Sequence, residues 1–228
     1  YDIKVYPAPR ALSPIVVDGV AADAAWDRAP LSSGFTFYNK PEVAEPLTSI
    51  MVAWDETNLY LMVTCQEPNI ARLTPVNYAR DSSNIFHGEA VEIFIDPEHS
   101  HNRYYQIAVN AAGSVYDSVR TDPSWNARVQ AAVQMGDDYW TLEVAVPWAD
   151  MEATPEAGQV VGLNVCRDRY LGSDRQWTNW AQTAANFHDP DRFGHIVLSP
   201  DANGPRSFQT SVGSAITSGS LGLPEPTR

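Results

Sequence analysis

The sequence predicts an all-β fold: an antiparallel β-sandwich of immunoglobulin or jelly-roll type with one short N-terminal helix. Three observations predict it. Apolar residues recur with a period of two in one segment after another, clusters of turn residues separate those segments, and no strand–helix alternation suggests a parallel sheet. In chain order, Pro14 to Gly19 (PIVVDG) leads into ADAAWDRA, a helix over Ala22 to Ala29 that Pro30 stops and whose Trp26 plugs a core. Strand segments follow: LTSIMVAWD, NLYLMVTCQ, AVEIFID, RYYQIAVNAAGSVYDS, ARVQAAVQM, YWTLEVAVPW, QVVGLNVCRDR, RQWTNWAQ and FGHIVLS. The turns are Asp55 to Asn58, Pro97 to Asn102, Gly113, Gly136 to Asp138, Gly158 and Gly172 to Asp174.

With 228 residues the chain can bury a substantial core without disulfides. We expect one domain over residues 1–198 and a linker or tail over 199–228, where Ser, Gly and Pro dominate and apolar pairs are scarce. The net charge of −13, with 15 basic residues among 28 acids, argues against nucleic acid, because phosphate binding needs clustered Lys and Arg. No apolar run approaches the roughly 18 residues of a membrane span, so membrane insertion is not expected. The chain begins at Tyr1 rather than Met and is expected to be a mature or excised piece of a longer protein. Cys65 and Cys166 fall inside strands and are most simply buried thiols, with a disulfide as the alternative.

Side chains alternate across a strand, so each strand divides into two faces. Val91, Ile93 and Ile95 form the core set of AVEIFID, leaving Glu92 and Phe94 on the other side. Ile107 and Val109 leave Gln106, Ala108 and Asn110 outward; Val161, Leu163 and Val165 leave Asn164, Cys166 and Asp168 outward. If these strands are neighbours, one face presents Glu92, Gln106, Asn110 and Asn164 together. Such a set of carboxylate and amide groups suits a hydroxyl-rich ligand. The plainer reading is an ordinary solvated sheet face.

Seven blocks, VDGVAADAAWDRA, AWDETNLYLMVTCQEP, RDSSNIFHGEAVEIFIDP, YYQIAVNAAGSVYD, DDYWTLEVAVPW, GQVVGLNVCRDR and FHDPDRFGHIVL, resemble in order those of family 9 carbohydrate-binding modules, from about Ile15 to Leu198. The resemblance implies a β-sandwich that binds polysaccharide or oligosaccharide chains, in the best-known members at reducing ends. It also implies a catalytic domain in the same polypeptide, a secreted, periplasmic or cell-surface location, and structural calcium. In those members two tryptophans clamp the sugar; here their positions hold Phe86 and Phe187, which offer less ring area than indole. Glu92 and Asn110 match sugar-contacting positions. Ala108 and Cys166 stand where the family has an arginine and a glutamine, with Arg167 and Arg80 as replacements or as partners of nearby acids.

Phe86 lies in an exposed loop of Ser82, Ser83, Asn84, His87 and Gly88, and Phe187 in a loop closed by Asp189 and Pro190. Both read as stacking platforms. Trp177 and Trp180 lie three apart in a strand and so on opposite faces, one in the core and one lining the cleft; the pattern does not say which. Trp54, Trp140 and Trp148 are read as structural. Calcium takes six to eight oxygens, and Asp18 and Asp96 near turns are its candidate ligands.

Two other classes compete. A glycoside hydrolase would pair Glu92 with Glu143 or Asp168 at about 5 to 10 Å, although Glu143 has nothing to place it near Glu92. A haem site between Met and His is disfavoured, because Met51 and Met62 lie in strands with no His nearby. A structural or adhesion module without its own sugar binding is the alternative that the two phenylalanines keep open.

Overall fold

The computed structural model describes residues 3–200. The predicted tail therefore lies outside the described residues apart from Ser199 and Pro200.

Twelve strands form two sheets: β1 (Val5–Pro9), β2 (Thr36–Phe37), β3 (Thr48–Trp54), β4 (Asn58–Gln66), β5 (Ala90–Asp96), β6 (Tyr105–Asn110), β7 (Val115–Val119), β8 (Gln130–Met135), β9 (Tyr139–Pro147), β10 (Val160–Leu171), β11 (Asp174–Asn179) and β12 (Gly194–Ser199). The smaller sheet has the order β3-β4-β9-β8. The larger runs β1-β12-β10-β5-β6-β7, with β11 on β10 and β2 on β11. All pairings are antiparallel except that of β1 with β12. The long β10 makes this branching possible: residues 160–163 pair with β12 and residues 166–171 with β11, while its middle pairs with β5.

The sheets meet through the apolar sets that alternation predicts. Val91, Ile93, Ile95, Ile107, Val109, Val161, Leu163 and Val165 face Ile50, Val52, Leu59, Leu61, Val63, Leu142 and Val144. Trp54, Trp140 and Trp148 are buried in this core. Cys65 belongs to it as well, Cys166 sits on the far side of the larger sheet, and both thiols are free.

Two elements differ from the sequence reading. The predicted helix over Ala22 to Ala29 is only a 3-10 turn, Trp26–Arg28. Tertiary contacts outweigh its alanine-rich propensity: Trp26 packs on Ala53, Tyr60, Met62 and Ala145, and its indole N–H donates to Glu143 Oε1 at 2.9 Å. Glu143 also accepts from the backbone N–H of Asp18 and Gly19, both at 2.9 Å, and so fastens the N-terminal segment over the outer face of the smaller sheet. The second difference is that β1 and β2 were not foreseen as strands. β1 carries Pro7 and Pro9, and it occupies the edge position where proline is tolerated.

Candidate functional site

The outer face of the larger sheet is a grid whose rows follow from strand register. One row reads Tyr116, Ala108, Glu92, Cys166 and Asn179 across β7, β6, β5, β10 and β11. On one side of it lies Asn110, Ala90, Asp168 and Trp177; on the other, Ser118, Gln106, Phe94 and Asn164. The face is not a solvated surface. All seven residues of β5 are buried, because loops from distant parts of the sequence fold over this side.

The loops carry the two aromatic candidates. Ser82 opens a 3-10 turn, Ser83–His87, by accepting from the Asn84 N–H, and Ile85 plugs the space that Ala90 and Ala108 leave open. Phe86 rests against that cluster, edge-on to Tyr116 with ring centroids 5.0 Å apart. Phe187 stands on the other side of Glu92. It packs with Phe94, Tyr104, Cys166 and Phe193, is only 9% exposed, and meets Tyr38 edge-on at 6.2 Å. Its loop is fixed by Asp189 accepting from the Ala184 N–H at 2.9 Å and Asn186 accepting from the His188 N–H at 2.8 Å. In the row between them, Ala108 lies under the Phe86 cluster, Cys166 under the Phe187 cluster, and Glu92 between.

Glu92 is the chemically distinctive group. It is 6% exposed; Gln106 Nε2 donates to its Oε2 at 2.5 Å, and Gln106 Oε1 in turn accepts from the Ser118 hydroxyl at 3.0 Å. Its other neighbour is a second acid, Asp168, within hydrogen-bonding reach and 2% exposed. Burial pushes Glu92 up to about 7, against the lowering effect of its hydrogen bonds with Asp168 and Gln106. Asp168 is raised well above the usual carboxylate range by burial and then by the charge of Glu92. Burial and the same two carboxylates also raise the Cys166 thiol, so it is not a reactive nucleophile.

The other candidates have separate fates. Asn110 donates to the Val76 carbonyl and accepts from the N–H of Ala112 and Ser114, shaping the β6–β7 turn. Asn164 clamps both the N–H and the carbonyl of Ala181, each at 2.9 Å. Both share the face with Glu92 but spend their polar groups holding the loops. Arg167 does not share it. At 1% exposure it points to the core side, where its guanidinium bonds Glu89 Oε1 at 2.5 and 2.8 Å and the Gln66 carbonyl at 2.9 Å. Arg80 pairs with Asp117. Trp180 is buried with its indole N–H on Ser32 Oγ, whereas Trp177 is 38% exposed on the outer face, opposite Asp168. Asp168 is the group that sequence reasoning underused: alternation had placed it outward, in phase with Asn164 and Cys166.

Among the described residues no three His, Cys, Asp or Glu side chains assemble to hold a metal ion. Asp18 accepts from the Val20 N–H, and Asp96 from the His101 N–H and the Ser100 hydroxyl, each within its own turn. Neither carboxylate is joined by two further acids, so any calcium shell of six to eight oxygens at Asp18 or Asp96 would need mostly backbone, amide or water oxygens.

A family model described as carbohydrate family 9 binding domain-like matches residues 17–200. Endo-1,4-beta-xylanase A of Thermotoga neapolitana is 29% identical over 157 residues, 65% of this chain but 14% of that protein. Endo-1,4-beta-xylanase A of Thermoanaerobacterium saccharolyticum is 24% identical over 194 residues, 83% of this chain and 16% of that protein. The chain thus spans a small fraction of the curated relatives it matches. Among solved structures, a family 9 carbohydrate-binding module from Caldicellulosiruptor kristjanssonii in complex with glucose aligns with a TM-score of 0.69 at 17% identity, covering 90% of this chain and all of that one. The same source's module in complex with cellotriose gives 0.66, with 86% and 94% covered. At this identity the likeness is one of fold.

Proposed function

Because the chain belongs to the carbohydrate family 9 binding domain-like family, we propose that it is a non-catalytic module that holds a sugar ring between Phe86 and Phe187, over Glu92. One observation carries this reading: a nearly buried acid with a single side-chain N–H donor lies between two aromatic clusters on the covered face of the larger sheet. The phenyl rings would meet the C–H faces of a pyranose, and Glu92 would accept from its hydroxyls. A ring flanked on both sides is reached from a chain end, which favours end recognition over mid-chain binding.

Hydrolysis is a poor fit. Glu92 and Asp168 are in hydrogen-bonding reach of each other, leaving no space for a glycosidic bond between carboxyls, and Glu143 belongs to the other sheet. The xylanase relatives, much longer than this chain, support a catalytic domain elsewhere in the same polypeptide, a polysaccharide partner and a location outside the cytoplasm.

Isothermal titration against oligosaccharides, each before and after borohydride reduction of its end, tests the reading. Heat is expected with the intact sugars and not with the reduced ones. It should fall in Phe86→Ala and in Phe187→Leu, the latter chosen because Phe187 is packed and alanine there would cost stability as well. No heat with any sugar from folded protein would instead support a structural or adhesion module.

A further inference from the structure

We infer that Trp177 is a second sugar platform adjoining the Phe86–Phe187 position, so that the site takes a chain of at least two joined pyranose rings rather than a single one. The inference rests on the sugar-binding reading above and extends it along the sheet.

Of the seven tryptophans, only Trp177 is exposed. An isolated surface aromatic needs no explanation, and what distinguishes this one is its surroundings. It pairs with Asp168 across β10 and β11, which puts its ring on the same face as Glu92 and one strand beyond the acid pair. β5 and β11 are separated by two strand spacings, about 10 Å, a span that more than one sugar ring is needed to cover. Asp168 lies between the two positions in the strand register, so that a chain reaching from Glu92 to Trp177 passes over the strand that carries it.

The indole is also held in place. Tyr170 abuts it edge-on, with centroids 5.9 Å apart and planes at 89°, and the Arg175 guanidinium lies over the Tyr170 ring at 4.9 Å. The Trp177 carbonyl accepts from the Tyr38 N–H at 3.1 Å, and the Tyr38 ring meets Phe187. Trp177 is thus tied through Tyr38 to the ring already assigned to the first sugar. A platform fixed in this way loses little side-chain entropy when a ring stacks on it.

The test is titration calorimetry with mono-, di- and trisaccharides of glucose and of xylose, on the wild-type chain, Trp177→Ala and Trp177→Phe. Wild type is expected to bind the disaccharide about tenfold tighter than the monosaccharide, the upper range for one aromatic contact. In Trp177→Ala that ratio should fall towards one, with Trp177→Phe between them. Iodide quenching of tryptophan fluorescence, which Trp177 dominates by its exposure, should be relieved by the disaccharide and not by the monosaccharide. A wild-type ratio near one, or a ratio unchanged in Trp177→Ala, overturns this inference while leaving the first sugar position standing. Failure of wild type to bind any sugar overturns both.

Discussion

Replacing Glu92 by glutamine should stabilise the protein at alkaline pH, and the size of the effect follows from its surroundings. In the folded chain the carboxyl is pushed up from 4.5 to about 7 by burial. Between those two values the folded state holds a proton that the unfolded chain has released. Stability from this group is therefore full below about pH 4.5 and is lost as pH rises through about 7. At about 1.4 kcal/mol per pH unit, the loss is about 3 kcal/mol. Asp168 is displaced in the same direction, partly by Glu92, so removing the Glu92 charge relieves it too. The amide introduced by Glu92→Gln would keep an oxygen for the Gln106 N–H and cannot ionise. Urea unfolding at pH 5, 6, 7 and 8 should show wild type weakening across the series while Glu92→Gln stays flatter, with the variant ahead by about 3 kcal/mol at pH 8. For a domain of this size that is roughly 10 °C in melting temperature. Parallel pH profiles for the two proteins would refute the reasoning.

Two further outcomes follow from the same geometry. Arg167→Met should destabilise by about 3–5 kcal/mol, because it strands Glu89 as a buried carboxylate with only the Trp140 indole and the Tyr170 N–H as donors; the double change with Glu89→Leu should recover much of the loss. Calorimetric melting curves recorded with calcium and with EDTA should coincide, since Asp18 and Asp96 each accept from N–H groups of their own turns; a rise in melting temperature with calcium would instead support a calcium site.

The sandwich was legible because alternation survives wherever two sheets share a core, and AVEIFID alone separates Val91, Ile93 and Ile95 from Glu92. Alternation was also sufficient for Arg167, which shares the phase of Val161, Leu163 and Val165; the family resemblance suggested it for the sugar, and the strand phase was the better guide. Two things were not legible. Burial of the outer face depends on the loops around Ile85 and Phe187, which approach it only through tertiary folding, so Phe94 reads as a solvated position and is fully buried. The assignment of Trp177 and Trp180 to their faces depends on how β11 pairs with β10, which spacing within one strand does not reveal.

Four glutamates are buried among the described residues, and comparison with Glu89 and Glu143 shows why Glu92 in particular marks the site; Glu67 is paired with Arg169. Glu89 receives the Arg167 guanidinium, the Trp140 indole and the Tyr170 N–H. Glu143 receives two backbone N–H groups and the Trp26 indole. Each of these acids fastens one part of the chain to another, and its donors are supplied by the fold. Glu92 receives one amide N–H, from Gln106, and its other hydrogen bond is shared with an acid, Asp168, instead of a cation or a backbone N–H. A carboxyl left this short of donors costs stability, and natural folds retain such groups where a ligand completes them. A sugar supplies what is missing: hydroxyl donors that arrive without a charge. On that argument bound ligand should offset part of the cost of ionising Glu92, so saturating disaccharide is expected to flatten the pH dependence of wild-type stability toward that of Glu92→Gln.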